Sequence, residues 1–371
     1  MPSFWQKIRA DFPVTKSCIY LDHASGGPIP KPVLEKIPQY YEEHCREADF
    51  AWMRWMRRCE ELREKAARFI NAEPEEIAFV SNTSHAMNLI AELLAPEGKV
   101  LTNTSEFPSS TLPWLWRKAQ MVWQEPENFS LPVANLKRLL KPSVKTILAS
   151  FVQYSSGFRQ DLEKIGKIKA GRYFVVNATQ GFGALQVDVR KWDADFLCTN
   201  SYKWMLAGYG GGILYIKKKW LTKFRPSSVS WRSMKSPEAM DNRKLDLKPE
   251  ASRYEMGSPP FPSIFAVGAA IEYLSQIGAA KIEKRVLELS AFTASLLTKN
   301  GFEVISPQEE KMRSGITVFK LEDAAAVQRR LLGHKIYVSA RGAGIRVAPH
   351  FYNSFEEIEI FVKKLVSISR R

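Results

Sequence analysis

The chain has 371 residues, 45% of them hydrophobic and 25% charged, enough for one large core and one smaller one. Lysine and arginine number 54 against 39 acids, a formal charge of +15 that favours anionic cofactors and substrates; the densest basic run is only Lys217, Lys218 and Lys219, so nucleic-acid binding is not expected. No run approaches the roughly 18 apolar residues of a membrane span and the N-terminal stretch has no secretory pattern, so a cytoplasmic location without a membrane partner is expected, while Cys18, Cys45, Cys59 and Cys198 lack metal-ligand spacing and read as free thiols, with no metal.

An amphipathic piece around Phe4 to Ile8 and a short strand, Ser17 to Leu21, lead into DHASGGPIPKP. Gly26, Gly27, Pro28, Pro30 and Pro32 cannot continue a helix or a central strand, so this is a loop of the kind that borders sites. Val33 to Asn71 reads as mostly helical, broken near Pro38, with Trp52, Trp55, Met56, Leu62, Ala66 and Phe69 on one buried stripe. A strand at Ile77 to Val80 runs into Ser81, Asn82, Thr83 and Ser84, just where a helix over Ala86 to Leu94 begins. Free N–H groups at a helix N-terminus, with hydroxyls beside them, make a candidate phosphate cup, although an ordinary N-cap explains the same residues. After the strand Lys99 to Asn103, SEFPSSTLPW sets Phe107 at a strand end, where it can stack on a planar ring or close the core. The strand Thr146 to Val152 delivers Tyr154, Ser155 and Ser156 to the same side, and Asp161 can cap the helix that follows.

The rest of the chain is organised around Arg172 to Trp204. Its two apolar runs, Tyr173 to Val176 and Asp195 to Thr199, read as buried parallel strands, and polar residues follow each at once: Asn177, Ala178, Thr179 and Gln180 after the first, Asn200, Ser201, Tyr202 and Lys203 after the second. An open α/β sheet places its ligand beyond such strand ends. A partly desolvated lysine there can lose its proton near neutral pH and attack an aldehyde to form a Schiff base, and pyridoxal phosphate is the obvious aldehyde. An isolated S-Y-K-W is better explained by a solvated surface lysine; the surrounding pattern favours the reactive one.

Beyond Lys203, glycines 208, 210, 211 and 212 precede a strand at Ile213 to Ile216, and Arg225 to Glu250 reads as a long surface excursion. Helical patterns over Ile264 to Ile277 and Lys281 to Lys299 open a second domain, with strands at Glu303 to Ile305, Ile316 to Leu321, Ile336 to Ser339 and Ile345 to Val347. Arg341 and Arg346 lie close to the last of them.

From Tyr20 to Asn353 these motifs together resemble the class V family of fold-type-I pyridoxal phosphate enzymes, which includes aminotransferases, cysteine desulfurases, kynureninase and isopenicillin-N epimerase-like proteins. The resemblance implies an α/β, three-layer fold with a mainly parallel central sheet and a smaller C-terminal α+β domain. Residues 16–258 would form the large cofactor-binding domain, and residues 1–15 with 259–371 the small one. It implies that Lys203 carries pyridoxal 5'-phosphate as an internal aldimine, that Phe107 stacks on its ring and that Gln180 reaches its phenolic oxygen. Thr83, Ser84, Asn200 and Tyr202 would surround the phosphate, and Tyr154 would border the cofactor. Gly257 and Ser258 in YEMGSPPF match a pair that reaches the phosphate across a homodimer interface, and Arg346 in GIRVAPHFYN matches the arginine that grips the substrate carboxylate. The implied activity is aminotransferase-like, on an amine bearing a carboxylate, with a lyase, an epimerase or a cofactor-binding pseudoenzyme as alternatives.

Two departures stand out. Asn177 occupies the place of an aspartate that keeps the pyridine nitrogen protonated, and a neutral amide weakens the ring as an electron sink. Between Tyr337 and Arg346 there is no cysteine, so desulfurase chemistry through a persulfide is not expected.

Overall fold

In the computed structural model, which describes residues 3–369, a short β1 (Ile19–Tyr20) precedes seven strands of one sheet. These are β2 (Ile77–Val80), β3 (Lys99–Asn103), β4 (Met121–Gln124), β5 (Val144–Ser150), β6 (Tyr173–Asn177), β7 (Phe196–Asn200) and β8 (Gly212–Ile216). Their spatial order is β2-β8-β7-β6-β5-β3-β4; β8 runs antiparallel to both its neighbours and every other pairing is parallel. The central strands β6, β7 and β8 are apolar along most of their length, as strands covered by helices on both faces are. Phe174, Val176, Leu197, Ile213 and Tyr215 enter one core, while Tyr173, Val175, Phe196, Cys198, Leu214 and Ile216, alternating with them, enter the other. Each large apolar side chain so buried contributes about 1.5–3 kcal/mol.

The edge strand β4 was not expected from the sequence. Met121 and Val122 are only half-buried and Trp123 is exposed, so its run carries little hydrophobic signal. The helical stretch after the first loop breaks near Pro38, as expected, at Glu35 between a short helix Lys31–Leu34 and helix Lys36–Glu47, since Pro38 has no N–H to donate to the Leu34 carbonyl. A second break, not expected, comes at Ala48, with φ of 48°, before helix Trp52–Phe69. Helix Thr83–Leu94 starts three residues earlier than expected because the Asn82 side chain caps it, accepting from the His85 N–H.

The remaining strands are β9 (Thr317–Lys320), β10 (Ile336–Tyr337), β11 (Ser339–Arg341) and β12 (Gly344–Val347). A small antiparallel sheet, ordered β11-β12-β9, lies against helices Ala279–Lys299, Ala324–Gly333 and Phe355–Ser369 around a core of its own. The expected strand at Glu303 to Ile305 reduces to a single bridge, Val304 to Phe319. Parallel pairing of β1 with β10, and a bridge from Asp22 to Ala348, bring the loop after β1 against the small sheet. Helix Phe261–Ile277 is almost wholly buried along helix Trp52–Phe69. Among the described residues no single helix is long and apolar enough to cross a membrane.

Candidate active site

The parallel strands of the large sheet end on one side, and the loops that leave them enclose a pocket. It is walled by Thr83 after β2, Phe107 and Ser109 after β3, Ser150, Val152 and Tyr154 at and beyond the end of β5, Asn177, Thr179 and Gln180 at and beyond the end of β6, and Asn200 and Lys203 at and beyond the end of β7. It encloses about 360 Å³ when open solvent at its mouth is counted. Convergence from five strand ends on one lysine is the arrangement expected of a ligand site in an open α/β sheet.

Lys203 is 8% exposed, and its Nζ makes no hydrogen bond or ion pair to the described residues. Burial, reinforced by the positive charges of Arg346 and Arg341 and only partly opposed by Asp22, lowers its pKa to about 8. A measurable share of the free amine is therefore present near neutral pH, which a nucleophilic lysine requires. Its nitrogen lies 5.6 Å from the centre of the Phe107 ring and 5.8 Å from that of Tyr202. Phe107 is 44% exposed and meets Tyr154 edge-on at 5.1 Å, so one face of its ring is free to receive a planar group.

The floor is a set of buried amides and hydroxyls with defined partners. Asn177 Oδ1 accepts from the Thr179 N–H at 3.0 Å, and its Nδ2 donates to Ser110 Oγ at 2.8 Å. Gln180 donates to the Ala24 carbonyl at 2.9 Å and accepts from the Trp204 indole at 2.8 Å. Thr83 and Thr179 share a hydroxyl hydrogen bond of 2.6 Å at the start of helix Thr83–Leu94. Asn200 Oδ1 is buried with no partner among the described residues. Behind Phe107, buried Glu106 accepts from the Ser150 N–H at 2.7 Å and from the Asn103 and Gln153 amides at 3.1 Å, tying the ends of β3 and β5 together.

From the small sheet, Arg346 is 2% exposed. It donates to Ser25 Oγ at 2.7 Å, to the Tyr154 carbonyl at 3.2 Å and to Asp22 at 3.5 Å, while its Nε has no partner. The loop from Asp22 to Pro30 is the connector. Gly27 N–H donates to the Tyr202 carbonyl at 2.7 Å, Tyr20 donates to the Gly26 carbonyl at 2.6 Å, and Ser25 holds Arg346.

Of the residues expected at the site, Lys203, Thr83, Phe107, Tyr154, Asn177, Gln180 and Asn200 line the pocket, and Arg346 does not line it but holds the Tyr154 carbonyl beside it. Four do not line it within one chain. Ser84 is exposed on the outer side of its helix, Tyr202 stacks on Tyr209 at 4.3 Å, Gly257 takes a φ of 60° in a half-buried turn, and Ser258 is exposed. Sequence reasoning missed Ser109, Ser110, Ser150, Asp22, Ser25 and Ser339. Their only signal was position, directly after a strand or inside the glycine-proline loop. No group of acidic, histidine or cysteine side chains among the described residues could hold a metal ion.

Residues 19–361 match the family model for aminotransferase class V. The chain belongs to that family. Its members are pyridoxal phosphate enzymes, and the α/β fold with a mainly parallel sheet is theirs. A probable cysteine desulfurase of Pyrococcus abyssi is 31% identical, over 96% of each chain. The uncharacterized aminotransferase YcbU of Bacillus subtilis is 26% identical, over 98% of this chain and 97% of its own. The apo structure of a cysteine desulfurase from Thermococcus onnurineus NA1 superposes with a TM-score of 0.91 at 26% identity, covering 100% of this chain and 99% of that one. The expectation that set desulfurases aside therefore needs correcting, since relatives of that name are among the most similar. No cysteine lies between Tyr337 and Arg346, and none among the described residues lines the pocket.

Proposed function

We propose that this chain binds pyridoxal 5'-phosphate on Lys203 and acts, by aminotransferase-like chemistry, on an amine that carries a carboxylate. The observation that carries the reading is Lys203 itself: a buried, partnerless lysine with its pKa lowered to about 8, in a pocket of uncharged donors and acceptors. When bound, the cofactor supplies an aldehyde and an electron-accepting ring. The residues fit it. Phe107 offers a ring face beside the lysine, and the first N–H groups of helix Thr83–Leu94, with the Thr83 hydroxyl, suit a phosphate. Gln180 keeps one N–H for an oxygen, and Asn177 offers an amide N–H to a ring nitrogen. Arg346 presents a planar cation for the substrate carboxylate, and Lys203, once free, is the group placed to take and return the substrate proton. Gly257 and Ser258, which do not line the pocket of their own chain, would complete that of a second copy, so the working unit is a homodimer.

Borohydride reduction of the cofactor-loaded protein, followed by peptide mapping, is expected to place the pyridoxyl group on Lys203. A label on any other lysine, or no bound cofactor, sinks the proposal.

A second reading, sulfur removal from cysteine, is favoured by the named relatives. It predicts sulfide and alanine in equal amounts from cysteine under reducing conditions; the aminotransferase-like reading predicts a keto acid and the amine form of the cofactor instead.

A further inference from the structure

Resting on that reading, we propose that the substrate carries two acidic groups, one received by Arg346 and the second by Arg341, so that the site selects a short dicarboxylic amino acid over its monocarboxylic counterparts.

The two arginines stand on adjoining strands of one hairpin, in which Ser339 pairs with Arg346 and Arg341 with Gly344. Side chains two residues apart on a strand leave the same face, and directly paired residues share a face. Arg341, Ser339 and Arg346 therefore project to one side. That side is turned to the site, because Ser339 Oγ donates to Asp22 at 2.6 Å and Arg346 reaches Ser25 at 2.7 Å. Arg341 lies one step further towards the hairpin tip, about 7 Å along the strand from Ser339. It is exposed and pairs with no carboxylate among the described residues. Its charge nevertheless acts inward, lowering the pKa of both Lys203 and Arg346.

The side-chain charges are unbalanced. Among the described residues, Asp22 is the carboxylate that opposes Lys203 and Arg346, and it is already 3.5 Å from Arg346. No carboxylate lines the pocket, and Asn177 adds none. An unpaired arginine on the same hairpin face as the one that takes the α-carboxylate, two residues along the strand from that arginine's partner Ser339, is a receptor for a second acid on the same substrate. An α-amino acid whose side chain ends in a carboxylate, or in another acid of similar size, meets both.

Calorimetric titration of the cofactor-loaded protein with succinate and with butyrate, which are unreactive and of matched length, tests this without turnover. Succinate is expected to bind at least roughly ten-fold more tightly, since a charged hydrogen-bond pair is at stake. Arg341→Gln should remove that preference while leaving butyrate unchanged, and Arg341→Lys should restore part of it. Equal binding of the two acids by the natural protein overturns the proposal, as does no binding of either or an equal loss for both acids in Arg341→Gln. Because the reduction experiment on Lys203 is independent of these titrations, failure here leaves the cofactor assignment standing, and failure there removes both.

Discussion

Asn177, in the proposed cofactor site, is the single buried residue expected to set the electronic character of the ring. With Oδ1 committed to the Thr179 N–H and one N–H committed to Ser110, its remaining hydrogen is a donor, and a donor suits an unprotonated ring nitrogen. Aspartate fits the same space, because Ser110 can turn its hydroxyl to donate and the Thr179 N–H is retained. Asn177→Asp is therefore expected to protonate the nitrogen, visible by NMR of ¹⁵N-labelled cofactor. It should also speed single-turnover conversion of bound cofactor to its amine form by about ten-fold, equivalent to ~1.4 kcal/mol of extra charge stabilisation. Equal rates at matched occupancy would remove the electron-sink argument. Arg346→Lys keeps the charge and loses the planar fork, so carboxylate substrates should bind more weakly by about 1.5–3 kcal/mol, with the cofactor spectrum intact. Lys203 makes a separate statement about pH. Its folded pKa of about 8 lies below the ordinary 10.5, so between these values the unfolded chain holds more protons than the native one. The cost is full below pH 8 and fades as pH rises to 10.5. Cofactor-free Lys203→Met should then exceed the natural protein in urea stability at pH 7 by up to about 3 kcal/mol, with the gap closing towards pH 10.

At the scale of elements, the loop from Asp22 to Pro30 holds the lysine segment and the arginine strand in one arrangement. A Cβ on Gly27 would stand 2.4 Å from the Lys203 carbonyl and 2.6 Å from Leu206, whereas one on Gly26 would find nothing nearer than 3.5 Å. Gly27→Ala should therefore lower the urea midpoint, by about 1–3 kcal/mol of stability, and reduce the absorbance of lysine-bound cofactor per chain. Gly26→Ala, nearly silent in both, is the control. On the other flank His350 donates from Nε2 to the Trp204 carbonyl at 3.0 Å and accepts the Phe351 N–H at Nδ1, a neutral ring whose pKa burial pushes down to about 4. The unfolded chain binds the extra proton between about pH 6.5 and 4, so this anchor weakens as pH falls through that window.

For the whole molecule, the consequence of the proposed roles of Arg341 and Arg346 is a site that would need both sheets. Lys203 and its polar floor belong to the large sheet, Arg341 and Arg346 to the small one, and β1 pairing with β10 carries the connecting loop between them. If Gly257 and Ser258 act in a second copy, dissociation should lower cofactor affinity. A mixture of Lys203→Ala and Ser258→Ala chains should regain part of the activity each lacks, with size-exclusion chromatography reporting the dimer.

How much of this was legible in the sequence follows from what leaves a local trace. Strands buried on both faces appear as unbroken apolar runs, so β6, β7 and β8 could be read directly, and a polar residue just past such a run must sit at a strand end. That places Asn177, Gln180, Asn200 and Lys203 together without coordinates. Partnership leaves no such trace. That Asn177 faces Ser110, that Glu106 braces the ends of β3 and β5, and that Asp22 and Ser25 reach Arg346 across more than 300 residues depend on which surfaces the fold brings into contact. The lowered pKa of Lys203 is of the same kind, since desolvation and the field of two arginines on another sheet exist only once the chain has closed around it.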